Sequence, residues 1–357
     1  MHVHAHCTCT YSFSTGSLYR PLMRPLRDEV DSLARATAFS GAVRVDRGHD
    51  VEFASAYGFA HRAHEIPNTP ETQFAIASGT KGLTALTIIS LIDEGSLGLS
   101  TTARSVLGRD LPLIRDDVTI EHLLAHRAGI GDYLDEELHD DPDEYVLPVP
   151  VHELATTEQY LTVLEGHPMK FPPGERFAYN NSGYVVLALI AERTAGVPFH
   201  ELVGLRVCAP ADMAASAFLR ADELPRGAAV GYLSFGRSSR TNVFHLPVRG
   251  SGDGGIYSTV ADISSFWRAL FAGRIVSRAW VDEIVRPRSE VPRASKRYGL
   301  GFWLAQWGDA VLLEGSDAGV SFHSVHDPGR RITHTVVSNT SDGAWPIARL
   351  LAKRLST

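Results

Sequence analysis

The string Ser78-Gly79-Thr80-Lys81 holds a hydroxyl and an amine that could together attack a carbonyl. Positions i and i+3 of a helix share one face, so the Lys81 amine can reach the Ser78 hydroxyl. A serine at a helix N-terminus also has backbone N–H groups and the positive end of the helix dipole beside it, which favours a developing oxyanion. To act as a base, Lys81 must lose its proton near neutral pH. Its ordinary value is about 10.4, and a depression of about three units corresponds to about 4 kcal/mol. Burial works in that direction. The other reading of the string is a serine N-cap followed by an exposed lysine. A second cluster, Tyr179-Asn180-Asn181, adds a phenol that can pass a proton to a leaving group and an amide that can hold both Lys81 and a substrate carbonyl. Here too a cap is the alternative, with Asn181 or Ser182 as the N-cap of the helix that follows.

The elements around these residues follow from periodicity. Ser78 to Glu94 reads as a helix apolar on almost every face from Leu83 to Ile92, stopped by Gly95, and such a helix belongs in a core. Ser182 to Thr194 is a second one, preceded by the turn Pro172-Pro173-Gly174. Upstream, Val30, Leu33, Ala34 and Ala36 predict an amphipathic helix from Asp28, leading into a hairpin of Ser40–Arg47 and Val51–Ala60 around Gly48-His49-Asp50. Thr119 to His126 is a short helix ended by Gly129, and Asp140 to Glu144 is an exposed acidic run. The last third predicts strands at Tyr298–Gln306, Ala310–Leu313, Ser321–Val325 and Thr333–Asn339, then a helix over Trp345–Leu355. Strands at both ends with helices between them predict an α+β fold: one sheet built from both termini, with a helical region, roughly 100–250, inserted into it.

Taken together the motifs resemble the serine β-lactamase and penicillin-binding-protein superfamily, of which S-x-x-K is a mark. The likeness runs through Phe74-Ala75-Ile76-Ala77-Ser78-Gly79-Thr80-Lys81-Gly82-Leu83 and Leu123-Leu124-Ala125-His126-Arg127-Ala128-Gly129. It continues through the stretch from Pro172 to Tyr184 and Gly254-Gly255-Ile256-Tyr257-Ser258-Thr259. These segments look like the class-C-related branch in this order, over roughly residues 28–355. That branch holds class C β-lactamases, D-Ala-D-Ala carboxypeptidases, D-aminopeptidases and β-lactamase-like esterases. The implied fold is the β-lactamase/transpeptidase one, an antiparallel sheet flanked by helices with an all-helical subdomain beside it and the site between them. The implied chemistry is a serine hydrolase working through an acyl-enzyme, with Ser78, Lys81 and Tyr179 catalytic and Asn181 holding substrate.

The family's third motif differs. Where relatives carry Lys or His, then Ser, Thr or another small residue, then Gly, this sequence has Leu313, Glu314 and Gly315. The backbone N–H of Ser316 remains available as the second oxyanion donor beside that of Ser78, because a backbone donor does not depend on the preceding side chain. Leu313 cannot hold a free carboxylate. Glu314, facing the cleft, would repel one and attract an amine. This favours an uncharged ester or amide, or a substrate with a free amino group, over a β-lactam, unless a cation such as Arg127 or Arg249 fills the gap. A D-peptidase or β-lactamase is the alternative within the family, and a binding protein that has kept the fold without turnover is the alternative outside catalysis.

Other patterns exclude rather than assign. Lys and Arg number 34 against 41 Asp and Glu, a net charge of −7, so no general field attracts nucleic acid or anionic lipid. No apolar run approaches the length of a membrane span. Gly250-x-Gly252-x-x-Gly255 lacks a surrounding βαβ unit, and no G-x-S-x-G, H-E-x-x-H or Walker string occurs, so no cofactor or metal is expected. His126 reads as structural, since Lys81 already fills the base role. Residues 1–27 read as a disordered tail. Its His2, His4, His6, Cys7 and Cys9 could ligate zinc or copper, yet their spacing fits no closed tetrahedral motif. The start lacks the pattern of a secretory leader, and three cysteines form no disulfide framework, so the expectation is a cytoplasmic domain over 28–357. Its partners would be small esters, amides or short peptides; nothing in the sequence sets the oligomeric state.

Overall fold

In the computed structural model, which describes residues 20–136, 141, 143–235 and 238–355, alternation along one strand sets the architecture. Strand β1 (Gly41–Arg47) sends Ala42 into one apolar cluster and Val43 and Val45 into another. Successive strand residues face opposite sides, so the sheet carries a core on each face. β1 turns at Gly48-His49 into β2 (Asp50–Tyr57). The other six strands come from the end of the chain: β3 (Ser289–Val291), β4 (Lys296–Tyr298), β5 (Trp303–Ala305), β6 (Val311–Asp317), β7 (Val320–Asp327) and β8 (Ile332–Ser338). The order is β2-β1-β8-β7-β6-β5-β4-β3, antiparallel throughout. Gly41 lies opposite Ser338 and Arg47 opposite Ile332, so strands from the two ends of the described chain pair one strand in from the edge of the sheet.

One face is covered by the terminal helices α1 (Arg20–Ala36) and α5 (Ala344–Leu355), whose Leu26, Val30, Ile347 and Leu351 pack on Val43 and Val336. The other face meets α2 (Thr80–Asp93) and α4 (Val260–Phe271), and α3 (Asn181–Ala195) packs against α2. Every residue of α2 from Thr80 to Leu91 is buried. That is tolerable because its polar groups are satisfied: Thr84 donates to the Gly252 carbonyl at 2.6 Å, Thr87 to Leu83 at 2.9 Å and Ser90 to Thr87 at 2.7 Å. Gly82 lets the strands come close; a Cβ there would stand 2.5 Å from Leu313 Cδ2. None of the helices among the described residues is long and apolar enough to cross a membrane.

Several expectations shift. Helix α1 begins at Arg20 rather than Asp28, because Leu26 extends the buried stripe. The metal-ligand candidates His2, His4, His6, Cys7 and Cys9 lie outside the described residues, as does part of the acidic run 140–144. The strand expected over Tyr298–Gln306 is two strands, β4 and β5, since Gly301 adopts φ +87 and the Gly299 N–H closes a turn onto the Phe302 carbonyl at 3.0 Å. β3, between Pro287 and Pro292, went unread because the prolines framing it mark turns. The inserted region also contains a two-stranded ribbon, Tyr232–Phe235 with Ser238–Thr241, anchored by the Tyr232 N–H to the Asn339 carbonyl at 2.9 Å.

Candidate active site

Ser78 sits in a 3-10 turn, Ala77–Gly79, immediately before α2. The N-cap of α2 is Gly79 and no side chain caps it, so the Ser78 hydroxyl is free for chemistry. Lys81 is 2% exposed, which removes the reading as an exposed lysine. Its Nζ lies 2.9 Å from Ser78 Oγ, 2.8 Å from Asn181 Oδ1 and 2.7 Å from the Asp253 carbonyl. Two of these partners can only accept. A neutral amine donates to both of them and keeps its lone pair for the one partner with a proton to give, Ser78. Burial lowers the Lys81 pKa below its ordinary value, against the opposing charges of Asp253, Glu136, Asp132 and Asp317.

The Tyr179-Asn180-Asn181 segment enters α3. The N-cap is neither Asn181 nor Ser182 but Asn180, whose Oδ1 accepts the Gly183 N–H at 2.6 Å. The first-turn N–H groups of Asn181 and Ser182 go instead to the Asp132 carboxylate at 2.7 and 2.9 Å. With capping done by its neighbours, the Asn181 amide is left to accept from Lys81 and to donate to the Leu134 carbonyl at 2.8 Å. Burial pushes the Asp132 carboxyl up to about 7, and these N–H bonds oppose it. Tyr179 stands with its ring 4.9 Å from Lys81 Nζ. Removal from water, reinforced by the charge of Glu136, raises its pKa well above 10, while its bond to Ser78 works the other way. It is therefore a phenol at neutral pH, able to donate a proton and poorly suited to accept one.

Strand β6 brings the third motif alongside. The pairing of β5 with β6 ends at Leu312, so Leu313 to Ser316 present an unpaired edge toward Ser78. Gly315 packs directly on the turn that carries Ser78: a Cβ there would lie 2.8 Å from Ser78 N and 2.9 Å from Ala77 Cβ. Ser316 lines the cleft next to Ser78. Leu313 points away from the cleft, 3% exposed, beneath Gly82. Glu314 does face the cleft, but it is not the free anion expected. It is ion-paired with Lys296 of β4 and lies 3.3 Å from His323 Nε2. Its pKa falls to about 2; burial would raise it, and His323 and Lys296 outweigh burial. Arg127 and Arg249 do not replace the missing cation. Arg127 is bound to the Gly174 carbonyl and, at 3.1 Å, to Ser289, and Arg249 donates to the Phe218 carbonyl at 3.0 Å.

Two hollows open on Ser78. One, of about 330 Å³, is lined by Tyr133, Tyr145, Tyr160, Asp253 and Asp317; the other, wider, by Arg176, Tyr179, Arg293, Trp303 and Trp345. Sequence reasoning missed the Asp253 carbonyl, the Asp132 cap and Lys296. The first two had a local signal in the glycines flanking Asp253 and in an acidic residue after Gly131; Lys296 had none, since only the sheet brings it to Glu314.

A family model described as Beta-lactamase matches residues 26–355. The chain is 28% identical over 281 residues to the putative penicillin-binding protein PbpX of Bacillus subtilis, covering 78% of this chain and 65% of that protein. It therefore spans just under two thirds of that relative's length. It is 26% identical over 328 residues to esterase EstB of Burkholderia gladioli, covering 82% of this chain and 81% of that one. The crystal structure of a penicillin binding protein from Bacillus halodurans superposes with a TM-score of 0.85 at 35% identity, covering 91% of this chain and 99% of that chain.

Proposed function

The chain belongs to the beta-lactamase family, and from that premise we propose that it is a serine hydrolase cleaving an ester or amide bond through an acyl-enzyme. The observation that carries this reading is the enclosed Lys81 amine, with two obligate acceptors and Ser78 as its third partner. Neutral Lys81 takes the Ser78 proton as Oγ bonds to the substrate carbonyl carbon, and the carbonyl oxygen gains the electron pair. The N–H groups of Ser78 and Ser316 hold that oxyanion. As it collapses, the bond to the leaving group breaks and the Tyr179 hydroxyl protonates the departing atom; the proton held by Lys81 restores Tyr179. Water then attacks the acyl carbon as neutral Lys81 takes its proton, and on collapse the bond to Ser78 Oγ breaks and Lys81 returns a proton to that oxygen. Asn181 keeps Lys81 in place. Because Tyr179 borders only the wider hollow, the leaving group belongs there and the acyl group in the tyrosine-lined one.

Substrates are small esters, amides or short peptides, with esterase-like turnover favoured. Esterase EstB, which the chain matches along most of its length, supports that preference, as does Leu313 standing where the motif has Lys or His. A D-Ala-D-Ala-type carboxypeptidase, D-aminopeptidase or β-lactamase is the second reading, favoured by the likeness to penicillin-binding proteins. Intact-protein mass spectrometry after a fluorophosphonate tests the reaction class. A single covalent addition that disappears in Ser78→Ala is expected, and an unlabelled wild type sinks it. The same measurement with a penicillin, a short acyl ester and a D-amino-acid amide separates the substrate readings. Cytoplasmic residence is part of the proposal, and fractionation of producing cells tests it.

A further inference from the structure

His126 is 2% exposed and takes no part in the reaction just described, yet it holds the segment carrying Tyr179 at three points. Its backbone sits at φ +53, a left-handed conformation that non-glycine residues rarely adopt. In that turn its carbonyl accepts the Ala178 N–H at 2.9 Å and its ring Nδ1 accepts the Asn180 N–H at 3.1 Å. Tyr179 lies between those two residues, its ring centroid 4.4 Å from the imidazole. The rings of Tyr184 and Tyr298, each at 4.9 Å, close the remaining sides.

A backbone N–H can only donate, so Nδ1 carries the lone pair and the neutral ring keeps its proton on Nε2. That Nε2 is buried without a hydrogen-bond partner, an unfavourable arrangement that a leucine or phenylalanine filling the same space would avoid. The gain that offsets it is the acceptor at Nδ1. Burial, with the charge of Lys81 adding to it, holds the ring's pKa well below the usual histidine value, so the acceptor persists through the neutral range.

We propose that His126 is a positioning residue for catalysis, gripping the chain on both sides of Tyr179 so that the phenol meets Ser78 and the departing atom. This rests on the reading of Tyr179 as the leaving-group acid. The test compares one acyl group on two leaving groups: p-nitrophenolate, which departs without help, and ethanol, which needs a proton. General acid catalysis contributes on the order of 10²–10⁴, so His126→Leu, which displaces the acid without removing it, should lower kcat/KM about 30-fold on the ethyl ester and less than about threefold on the p-nitrophenyl ester. His126→Asn, whose Oδ1 can replace Nδ1 and which tolerates a left-handed backbone, should recover most of the loss. In a Tyr179→Phe background, His126→Leu should add nothing further. Equal losses on both esters, an Asn variant as poor as Leu, or losses that multiply in the double variant would overturn the proposal. Fluorophosphonate labelling of Ser78 reports whether the Leu variant is folded. If it is not, the Asn variant decides: near wild-type rates on both esters support positioning, and a loss independent of leaving group ends it. If Tyr179→Phe itself shows no leaving-group dependence, the acid role of Tyr179 fails and the positioning proposal falls with it, while Ser78 labelling still stands.

Discussion

The turn that carries Ser78 and the strand packed beside it are built by different means. Around Lys81 the side chains matter atom by atom: Ser78, Asn181 and the Asp253 carbonyl each meet the buried amine within 2.9 Å. On β6 the side chains differ from the family's usual set, with Leu313 turned into the core and Glu314 paired to Lys296, while Gly315 still packs on Ser78. The difference follows from what each region handles. A proton moves only between particular atoms, so its donors and acceptors must be kept. Charge on an oxyanion is held by main-chain N–H groups, so a strand can exchange side chains as long as its backbone keeps its place.

The contrast can be broken at either side, and the expected effects decrease in order. Lys81→Met should lower kcat/KM by about 10³ or more on an ester substrate, the upper range for loss of a general base, with Ser78 labelling slowed in parallel. In the wild type kcat/KM should rise with pH as Lys81 loses its proton, with a midpoint below the ordinary lysine value because burial lowers it. An acid limb that survives Lys81→Met would show that another group is the base. Gly315→Ala comes next. Its Cβ meets Ser78 N and Ala77, so β6 must retreat and carry the Ser316 N–H out of reach, at about 10²-fold in kcat/KM, the scale of one lost oxyanion donor. An unchanged rate there would remove β6 from the oxyanion site. Glu314→Gln should be mildest, within about threefold on a neutral ester, consistent with a single rim charge already paired. Its effect on stability has a definite sign. A carboxyl depressed to about 2 stabilises the fold above the ordinary glutamate range and loses that contribution as pH falls through about 2. Thermal melts of wild type and Glu314→Gln should therefore differ at pH 7 and converge toward pH 2.

Much of this was legible in the sequence where one local pattern fixed both element and role. The apolar run after Ser78 required a buried helix, and burial lowers the Lys81 pKa in the direction the proposed base role needs. The Pro-Pro-Gly turn placed Tyr179 just before a second such helix. The cap assignments were less legible, since Asn180, Asn181 and Ser182 are all competent caps and only Asp132, some fifty residues earlier, decides between them. The charge of Glu314 was misjudged for the same reason: its partner lies two strands away, in β4, and the pairing of β4 with β5 and β5 with β6 sets that distance. The hold of His126 on Ala178 and Asn180 depends on a backbone angle that composition does not announce.

The pairing of β1 with β8 has a consequence for how the enzyme comes into being. Gly41 finds Ser338 only once β8 has been made, and contacts so distant in sequence close late. A ribosome-bound chain that has released Ser78 and Lys81 still lacks β6, β7 and β8, and with them Ser316. On the proposed reading, hydrolytic competence waits until β8 seats against β1, and a nascent chain short of that point carries Ser78 without the strand that faces it.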